Sequence, residues 1–519
     1  MTEINLLSII LAITPVIIIF ILLAVLHFPA DIAGSIGWIV TVLITWLYFK
    51  TSLNVIFISS LGGIVASLPI ALVVATSIFQ VTIMQETGAI ARVVSLLKTL
   101  SPKDNIVQIM IINVGFGTLL TALGAVPVSI LPPIMLALGY SSFVAIALPA
   151  IGYDALTTYA LLGVPVVVFS NIVGMPVKDV GMYFARFMPV ISTCIALGML
   201  WIIGGWKMVI RGSIPAILSG FTAGFICIGL NQLGLITVTG IAAGAGVIAI
   251  MVLYLLVSRK PLINQDKKDE SDKLSENRMG LLAAISPWVI LTAVSLMMNA
   301  PFLPFFDLTF NRLSMPLEII PGSPEKIRLL WQAYFWITIS TIISLPILKA
   351  SSSQIKTSFQ KWLKRAPRPV FSAAIFFAIA YLINHSGKNI SWQILDPDLN
   401  MVALLANASS SAFDRFYPIL APFLGLFGGF ISGSETSAIA MLTALHLSTA
   451  EKIGAIGLII AAASGIGGGL ASVISPAKLQ NAAASIDRIG EETRVIRTTV
   501  IIALIITAVC ALMTMIWAY

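Results

Sequence analysis

A chain of 519 residues that is 58% hydrophobic and 10% charged, with a mean hydropathy of +1.01, is not a soluble protein. Soluble domains carry roughly 25% charged residues, because their surface grows with size and must be wetted. The net charge of +8 does not point to nucleic acid, since the basic residues sit mostly in short loops between apolar runs. Cys194, Cys227 and Cys510 each lie within an apolar run, without the paired spacing of a disulfide framework or a metal site.

A membrane-spanning helix needs about 20 apolar residues. In chain order such runs occur at 5–27, 32–49, 69–85, 181–204, 213–231, 236–258, 281–298, 329–348, 370–384, 451–471 and 495–518. Three longer stretches, 106–140, 143–175 and 416–446, are apolar but cut by Gly and Pro. The expected fold is therefore all-α and polytopic, with roughly a dozen membrane-crossing elements. The first run opens Met-Thr-Glu-Ile-Asn, lacks a basic n-region and is followed at once by a second span, so it reads as a retained helix rather than a signal peptide. Segment 354–366 has an amphipathic pattern, read either as an arm helix lying flat at the interface or as a plain basic loop.

The most polar stretch, Arg259 to Arg278, holds six basic and five acidic residues and reads as a solvated linker. It divides the chain into a first membrane unit (1–258), a polar linker (259–280) and a second membrane unit (281–519). Anchors recur across that divide in order. Pro69 leads an apolar span ending at Thr87-Gly88, as Pro369 leads one ending at Ser386-Gly387. Gly115-Phe116 precede Thr121 as Gly429-Phe430 precede Glu435, and Gly163-Val164-Pro165 matches Ile474-Ser475-Pro476. Charge sets the orientation. Segment 349–368 carries Lys349, Lys356, Lys361, Lys364, Arg365 and Arg368 with no acid, whereas its counterpart 50–69 has Lys50 alone. One span later the bias reverses: 86–104 carries Arg92, Lys98 and Lys103, and 387–400 carries Lys388 against Asp396 and Asp398. Short basic loops favour the cytoplasm, so equivalent loops are expected on opposite sides, as in an inverted repeat.

Backbone broken at membrane depth is tolerated only where it is buried or lines a cavity, so the helix breaks mark the expected site. One lies in each half, at Thr121–Pro127 and at Ser432–Ser437. A second follows about 35 residues later, at Tyr153–Pro165 and at Ser464–Pro476. Hairpin tips and interrupted helices present free N–H groups and positive helix ends to a small anion. Asp154, Glu435 and Lys478 lie in these breaks, where a charge costs a few kcal/mol. Glu435 is expected to line the pathway. Asp154 and Lys478 are either functional or structural partners of each other. Thr and Ser in the same loops either bind substrate or back-bond their own helix. His27, His385 and His446 show no ligand spacing and are expected in loops or at the interface, with Arg415 snorkelling there.

At these motifs the chain resembles the lactate permease family. The resemblance is strongest over Pro422-Phe-Leu-Gly-Leu-Phe-Gly-Gly-Phe-Ile-Ser-Gly-Ser-Glu-Thr-Ser437, with Ile474-Ser475-Pro476, Asn384-His-Ser-Gly387 and Gly163-Val-Pro165 in support. The resemblance implies two inverted repeats with re-entrant hairpins and discontinuous helices, like the elevator-type ion transporters. It also implies proton-coupled uptake of lactate, glycolate or a related 2-hydroxy monocarboxylate across the plasma membrane. The departures are Thr121 at an acidic position, Tyr153-Asp154 in place of Asn-Thr, Lys478 at an uncharged one, and Glu435 in place of Asp.

The expected substrate contacts are Thr121, Thr157, Thr158, Ser434, Glu435, Thr436, Ser437, Ser475 and Lys478, with Glu435 and Asp154 as proton carriers. Another anion, such as a dicarboxylate or oxyanion, and sodium coupling are the alternatives, and a homodimer is an open expectation. An integral membrane enzyme or respiratory-complex subunit is the reading from another class. It would need clustered His, Cys or carboxylates, which the sequence lacks. No cofactor or metal is expected, and no nucleotide-binding loop is present.

Overall fold

The computed structural model describes residues 6–26, 28–99, 104–154, 156–262, 270–299, 303–394, 396–488 and 490–519. Among these, nine helices are long and apolar enough to cross a membrane. A bent pair, Ser142–Gly152 with Thr157–Val173, makes up to ten. Large apolar side chains stand on the outside, among them Ile210 at 75% exposure and Ile516 at 74%. Lipid solvates such a surface and water does not. The chain is a multi-pass helical membrane protein.

Its longest feature is an antiparallel pair. Leu53–Glu86 is one helix of 34 residues, and Ser352–Asn384 runs as a single 33-residue span across the junction at Ala366. At about 1.5 Å per residue each is near 50 Å long, well beyond a bilayer core of about 30 Å. Gln354 Nε2 donates to Glu86 O, and Trp362 Nε1 donates to Ala75 O, both at 2.8 Å. Gly63 lies against the backbone of Phe377 and Ala378, where a methyl would collide. Gly387 N donates to Thr51 Oγ1 at 2.9 Å. These contacts run in opposite directions along the two helices and centre on Pro69 and Pro369.

The ends of the pair match as well. Lys50 and Lys349 both have left-handed backbone, at φ 53 and φ 52. Ser52 and Ser351 each cap the helix that follows. Gly88 and Gly387 end the pair at φ 84 and φ 74, a conformation that glycine adopts at little cost. The amphipathic segment is helical, as one reading of its pattern expected, but it continues the span rather than forming a separate element. Its capping box at Ser351 and Gln354 gives a first expected outcome. Ser351→Ala should cost about 1 kcal/mol in thermal unfolding of the detergent-purified protein.

Two helical hairpins and two broken helices pack together beside this pair. The first hairpin runs through Asn105–Ala122, a tip at Leu123–Val126, and Pro127–Ala137. The second is Tyr417–Ser432, a two-residue tip, and Glu435–Ile453. The helix after the first half's break packs on the second hairpin's second arm, and the helix after the second half's break packs on the first hairpin's second arm. Asp104 caps the first hairpin, accepting from Ile106 N at 3.0 Å, and pairs with Lys260 Nζ at 2.5 Å. Burial alone would raise its carboxyl, but Lys260 and the amide N–H groups outweigh burial and hold it below the usual range. Three helices, Met188–Arg211, Ser213–Gln232 and Ile236–Val257, close one flank.

Several expectations need correction. The chain is not wholly α: Met315–Ile320 and Ser323–Ile327 form an antiparallel two-stranded sheet around the Pro321-Gly322 turn. The run at 451–471 is two helices, because Gly454 (φ 67) ends one and the next begins at Gly457. The run at 181–204 is likewise split, between Val177–Ala185 and Met188–Arg211. The linker is not simply solvated. Glu270–Arg278 is a helix docked on Ala89–Thr99, where Lys98 Nζ pairs with Asp272 Oδ2 at 2.8 Å, with both side chains buried.

Candidate functional site

The second hairpin turns at Gly433, whose left-handed φ of 66 ends Tyr417–Ser432. Ser434 then caps the second arm, accepting from Ser437 N at 3.3 Å, and Glu435 occupies the first helical position. Sequence alone dictates this: Ser is a favoured N-cap and an acidic side chain suits the positive end of a helix. The side chain nevertheless turns inward. Glu435 is 5% exposed, and Oε1 accepts a hydrogen bond from Thr158 Oγ1 at 2.7 Å. That bond joins the two halves of the chain.

Thr158 is presented by the break in the first half. Ser142–Asp154 ends, Thr157–Tyr159 forms a short 3-10 turn, and Leu161, Leu162 and Gly163 are all left-handed, at φ 53, φ 60 and φ 81. Consecutive left-handed L-residues cost roughly 1–2 kcal/mol each, so this turn is strained. Thr157 lies close enough to act on Glu435 but makes no hydrogen bond of good geometry to Oε2, which has no partner among the described residues. Gly469 forms the remaining wall. A methyl there would stand 2.6 Å from Glu435 Oε2 and collide with Thr157 Oγ1.

The second half's break adds to the same locus. Ser475 opens Pro476–Ala484, is 1% exposed, and its hydroxyl lies 3.4 Å from where a side chain on Gly433 would begin. Lys478 Nζ donates to Ser472 Oγ at 2.5 Å and lies within electrostatic range of Glu435. Two helix N-termini, one buried carboxyl and one ammonium therefore share a small volume, an arrangement suited to a small anion and a proton.

Of the residues expected from sequence, Thr157, Thr158, Ser434, Glu435, Thr436, Ser437, Ser475 and Lys478 fall at or beside this point, with Thr436 and Ser437 buried. Thr121 does not share its position. It lies in the arm before its tip, whereas Glu435 opens the arm after its own, and its hydroxyl is spent on Gly117 O at 2.8 Å. The glycine that matches Gly433 is Gly124 (φ 84), so the spacing that paired Thr121 with Glu435 does not hold. The side chain of Asp154 lies outside the described residues, as does His27.

Two further expectations are overturned. Ser464 to Gly469 is not a break. The helix runs unbroken from Gly457 to Leu470, and only Ala471–Ser475 interrupts it. Those glycines serve close packing, since Gly467 would collide with Pro422 O if it carried a methyl. His446 is not in a loop or at the interface but fully buried within the second hairpin. His385 does lie at a helix end, beside Lys388, and Arg415 on an exposed turn over Phe416.

The hydrogen bond at the centre gives a second expected outcome. Thr158→Val keeps the side chain's shape but leaves a buried carboxyl oxygen without its donor. It should cost about 1–3 kcal/mol, read as a lowered unfolding temperature, whereas the same change at Thr121 should cost less.

The chain is similar to known permeases along nearly its whole length. Glycolate permease GlcA of Escherichia coli K12 is 26% identical over 99% of this chain and 96% of its own. The L-lactate permease of Salmonella typhimurium LT2 is 24% identical over the same shares, and that of Bacillus subtilis 168 is 24% identical over 95% and 93%. Among solved structures, the MtrF protein of Neisseria gonorrhoeae aligns with a TM-score of 0.42 at 14% identity over 88% of this chain and 83% of that one, too distant to bear on the argument. The L-lactate permease family model matches residues 8–519, and the chain belongs to that family.

Proposed function

We propose that this permease carries lactate, glycolate or a related 2-hydroxy monocarboxylate across the plasma membrane by proton symport. The observation that carries the reading is the Thr158–Glu435 hydrogen bond, which holds a buried carboxyl, one oxygen of it unpaired among the described residues, where breaks from both halves converge. In this reading the substrate carboxylate is held by Lys478, the N–H groups at the starts of Glu435–Ile453 and Pro476–Ala484, and the hydroxyls of Ser434, Thr157, Ser437 and Ser475. Thr436 supports the same turn. Glu435 takes up the coupling proton on Oε2, with Asp154 as the second candidate carrier.

We further infer that the two membrane units, 1–258 and 281–519, are inverted repeats. The antiparallel pairing of Leu53–Glu86 with Ser352–Asn384 about Pro69 and Pro369 supports this, as do the matched caps at Ser52 and Ser351. In that arrangement the antiparallel pair serves as a scaffold, and the hairpins and broken helices form the moving, elevator-like core.

Uptake of labelled lactate and glycolate by proteoliposomes under an imposed inward proton gradient tests the function. Accumulation that collapses on adding an uncoupler is expected. Absence of uptake for every 2-hydroxy monocarboxylate would overturn the substrate assignment, and accumulation driven only by a sodium gradient would overturn the coupling.

A further inference from the structure

One arm of the antiparallel pair carries charge that the other lacks. On Ser352–Arg365 the inward row is Ser358, Trp362 and then Ala366. Ser358 and Ala366 are buried, and Trp362 bonds Ala75 O and meets Phe79 edge-on. Successive residues turn by about 100° around a helix. The next row round is apolar and open: Phe359 is 48% exposed and Leu363 51%, and the row continues to Phe371 at 49%. Beside it stands a polar row, Lys356, Gln360, Lys364 and Arg368, all exposed. Lys361 and Arg365 close the circle, bonded back to Glu86 and Gln85.

The positive charge here is in surplus. Glu86 pairs with Lys361 at 2.5 Å and Asp31 with Arg368 at 3.3 Å. Lys349, Lys356 and Lys364 form no hydrogen bond or ion pair with any described residue. The matched arm shows that the fold does not need these cations. Counted from the caps at Ser52 and Ser351, Phe57 and Leu61 hold the places of Lys356 and Gln360, and Val65 holds that of Lys364. Phe57 and Leu61 are exposed too, and 53–66 carries no charged residue.

An open apolar row and a surplus of exposed cations ask for different solvents. Lysine and arginine are expelled from hydrocarbon, and a continuous apolar row is expelled from water. The lipid–water boundary suits both, with the apolar row against acyl chains and the basic side chains reaching out to the headgroups. There the free lysines meet phosphate. A zwitterionic headgroup brings its own cation to that phosphate, whereas an anionic lipid leaves the charge for the protein. The unpaired lysines therefore favour the anionic lipid.

We propose that Ser352–Arg365 is a docking surface for anionic phospholipids, in the leaflet on the side of the short basic loops. Lys356 and Lys364, just over two turns or about 12 Å apart on one row, hold the headgroup phosphates, with Lys349 at the start of the arm. Phe359 and Leu363 lie among the acyl chains beside them. The first arm, with Phe57 and Leu61 in the corresponding places, meets acyl chains alone. The two ends of the pair thus differ in the lipid that they bind, although their backbones match.

Native mass spectrometry of the full-length protein in detergent reads bound lipid directly. With phosphatidylglycerol or phosphatidylcholine of the same acyl chains added, wild-type protein is expected to retain phosphatidylglycerol preferentially. One lysine near an anionic surface contributes about fivefold in affinity, so Lys356→Gln with Lys364→Gln should weaken phosphatidylglycerol binding about tenfold or more and leave phosphatidylcholine binding unchanged. Lys326→Gln, at an exposed site on the two-stranded sheet, should bind as wild type. Phe359→Gln with Leu363→Gln should weaken both lipids. Unfolding temperatures without lipid, expected to match wild type, show that the fold is intact. Should the Phe359 and Leu363 variant fail to fold, the lysine variant, which breaks no bond to a described residue, carries the test. Equal binding of the two lipids by wild type, or phosphatidylglycerol binding unchanged in the lysine variant, would overturn the proposal. Displacement of phosphatidylglycerol by millimolar inorganic phosphate would make the row a site for free anions, and overturns it as well.

Discussion

Glu435→Gln should abolish proton-driven accumulation while leaving the protein as stable as wild type. Gln keeps the shape of the side chain and an oxygen to accept the Thr158 bond of 2.7 Å, so the link between the halves survives. The change at Oε2 is different in kind. That oxygen has no partner among the described residues, and replacing it by an amide removes a proton acceptor without breaking a bond to any of them. Stability should therefore stay within about 1 kcal/mol, the scale of a single net hydrogen bond. Transport should change in mode: substrate still binds and exchanges, but the gradient no longer concentrates it. Tritiated lactate uptake with and without an uncoupler, alongside unfolding temperature, reads both quantities on one preparation. Retained accumulation would remove Glu435 from the coupling role, and a large drop in stability would make it a structural residue.

Much of this was legible in the sequence because membrane solvent leaves few options. Long apolar runs must be helices, and breaks in them must be buried, so Ser432–Ser437 and Tyr153–Pro165 stood out from composition and Gly/Pro placement alone. The match of Pro69 with Pro369 was equally visible, and the antiparallel helices do centre there. What failed was the meaning of glycine. Ser464 to Gly469 reads as a helix breaker by propensity, yet it is helical, because the neighbouring helix sits so close that only glycine fits. Propensity is local and that constraint is not.

The same limit explains Thr121 and His446. Spacing aligned Thr121 with Glu435, but the first tip has four residues and the second only two, so the register slips at the turn. His446 has no neighbouring ligand in sequence. Its partners, Tyr417 and Ser464, lie 29 and 18 residues away and meet it only when the hairpin closes on the helix that follows. The strands at Met315–Ile327 did carry a local signal, β-branched Ile319-Ile320 before a Pro-Gly turn, set within a loop between spans.

The close approach of those helices sets the second large effect. Gly425 and Gly429 lie one turn apart on Tyr417–Ser432, and a methyl on either would collide with the backbone carbonyl of Ser464 or Gly468. A carbonyl within a helix cannot move aside as a side chain tip can, so Gly425→Ala or Gly429→Ala must push the two helices apart. Overpacking of this kind costs typically about 1–3 kcal/mol, and separation also forfeits contacts along the whole interface. The unfolding temperature of each variant should fall clearly. Function should suffer beyond that, because Gly468 and Gly469 lie against Glu435 on the helix being displaced. Gly428→Ala is the control. Its added methyl meets Leu442 Cδ1 at 3.2 Å and Ala438 Cβ at 3.4 Å, and the leucine tip can yield. Gly428→Ala should stay near wild type in both unfolding temperature and uptake. If all three variants behaved alike, the close helix contact would not be what holds the Glu435 wall in place.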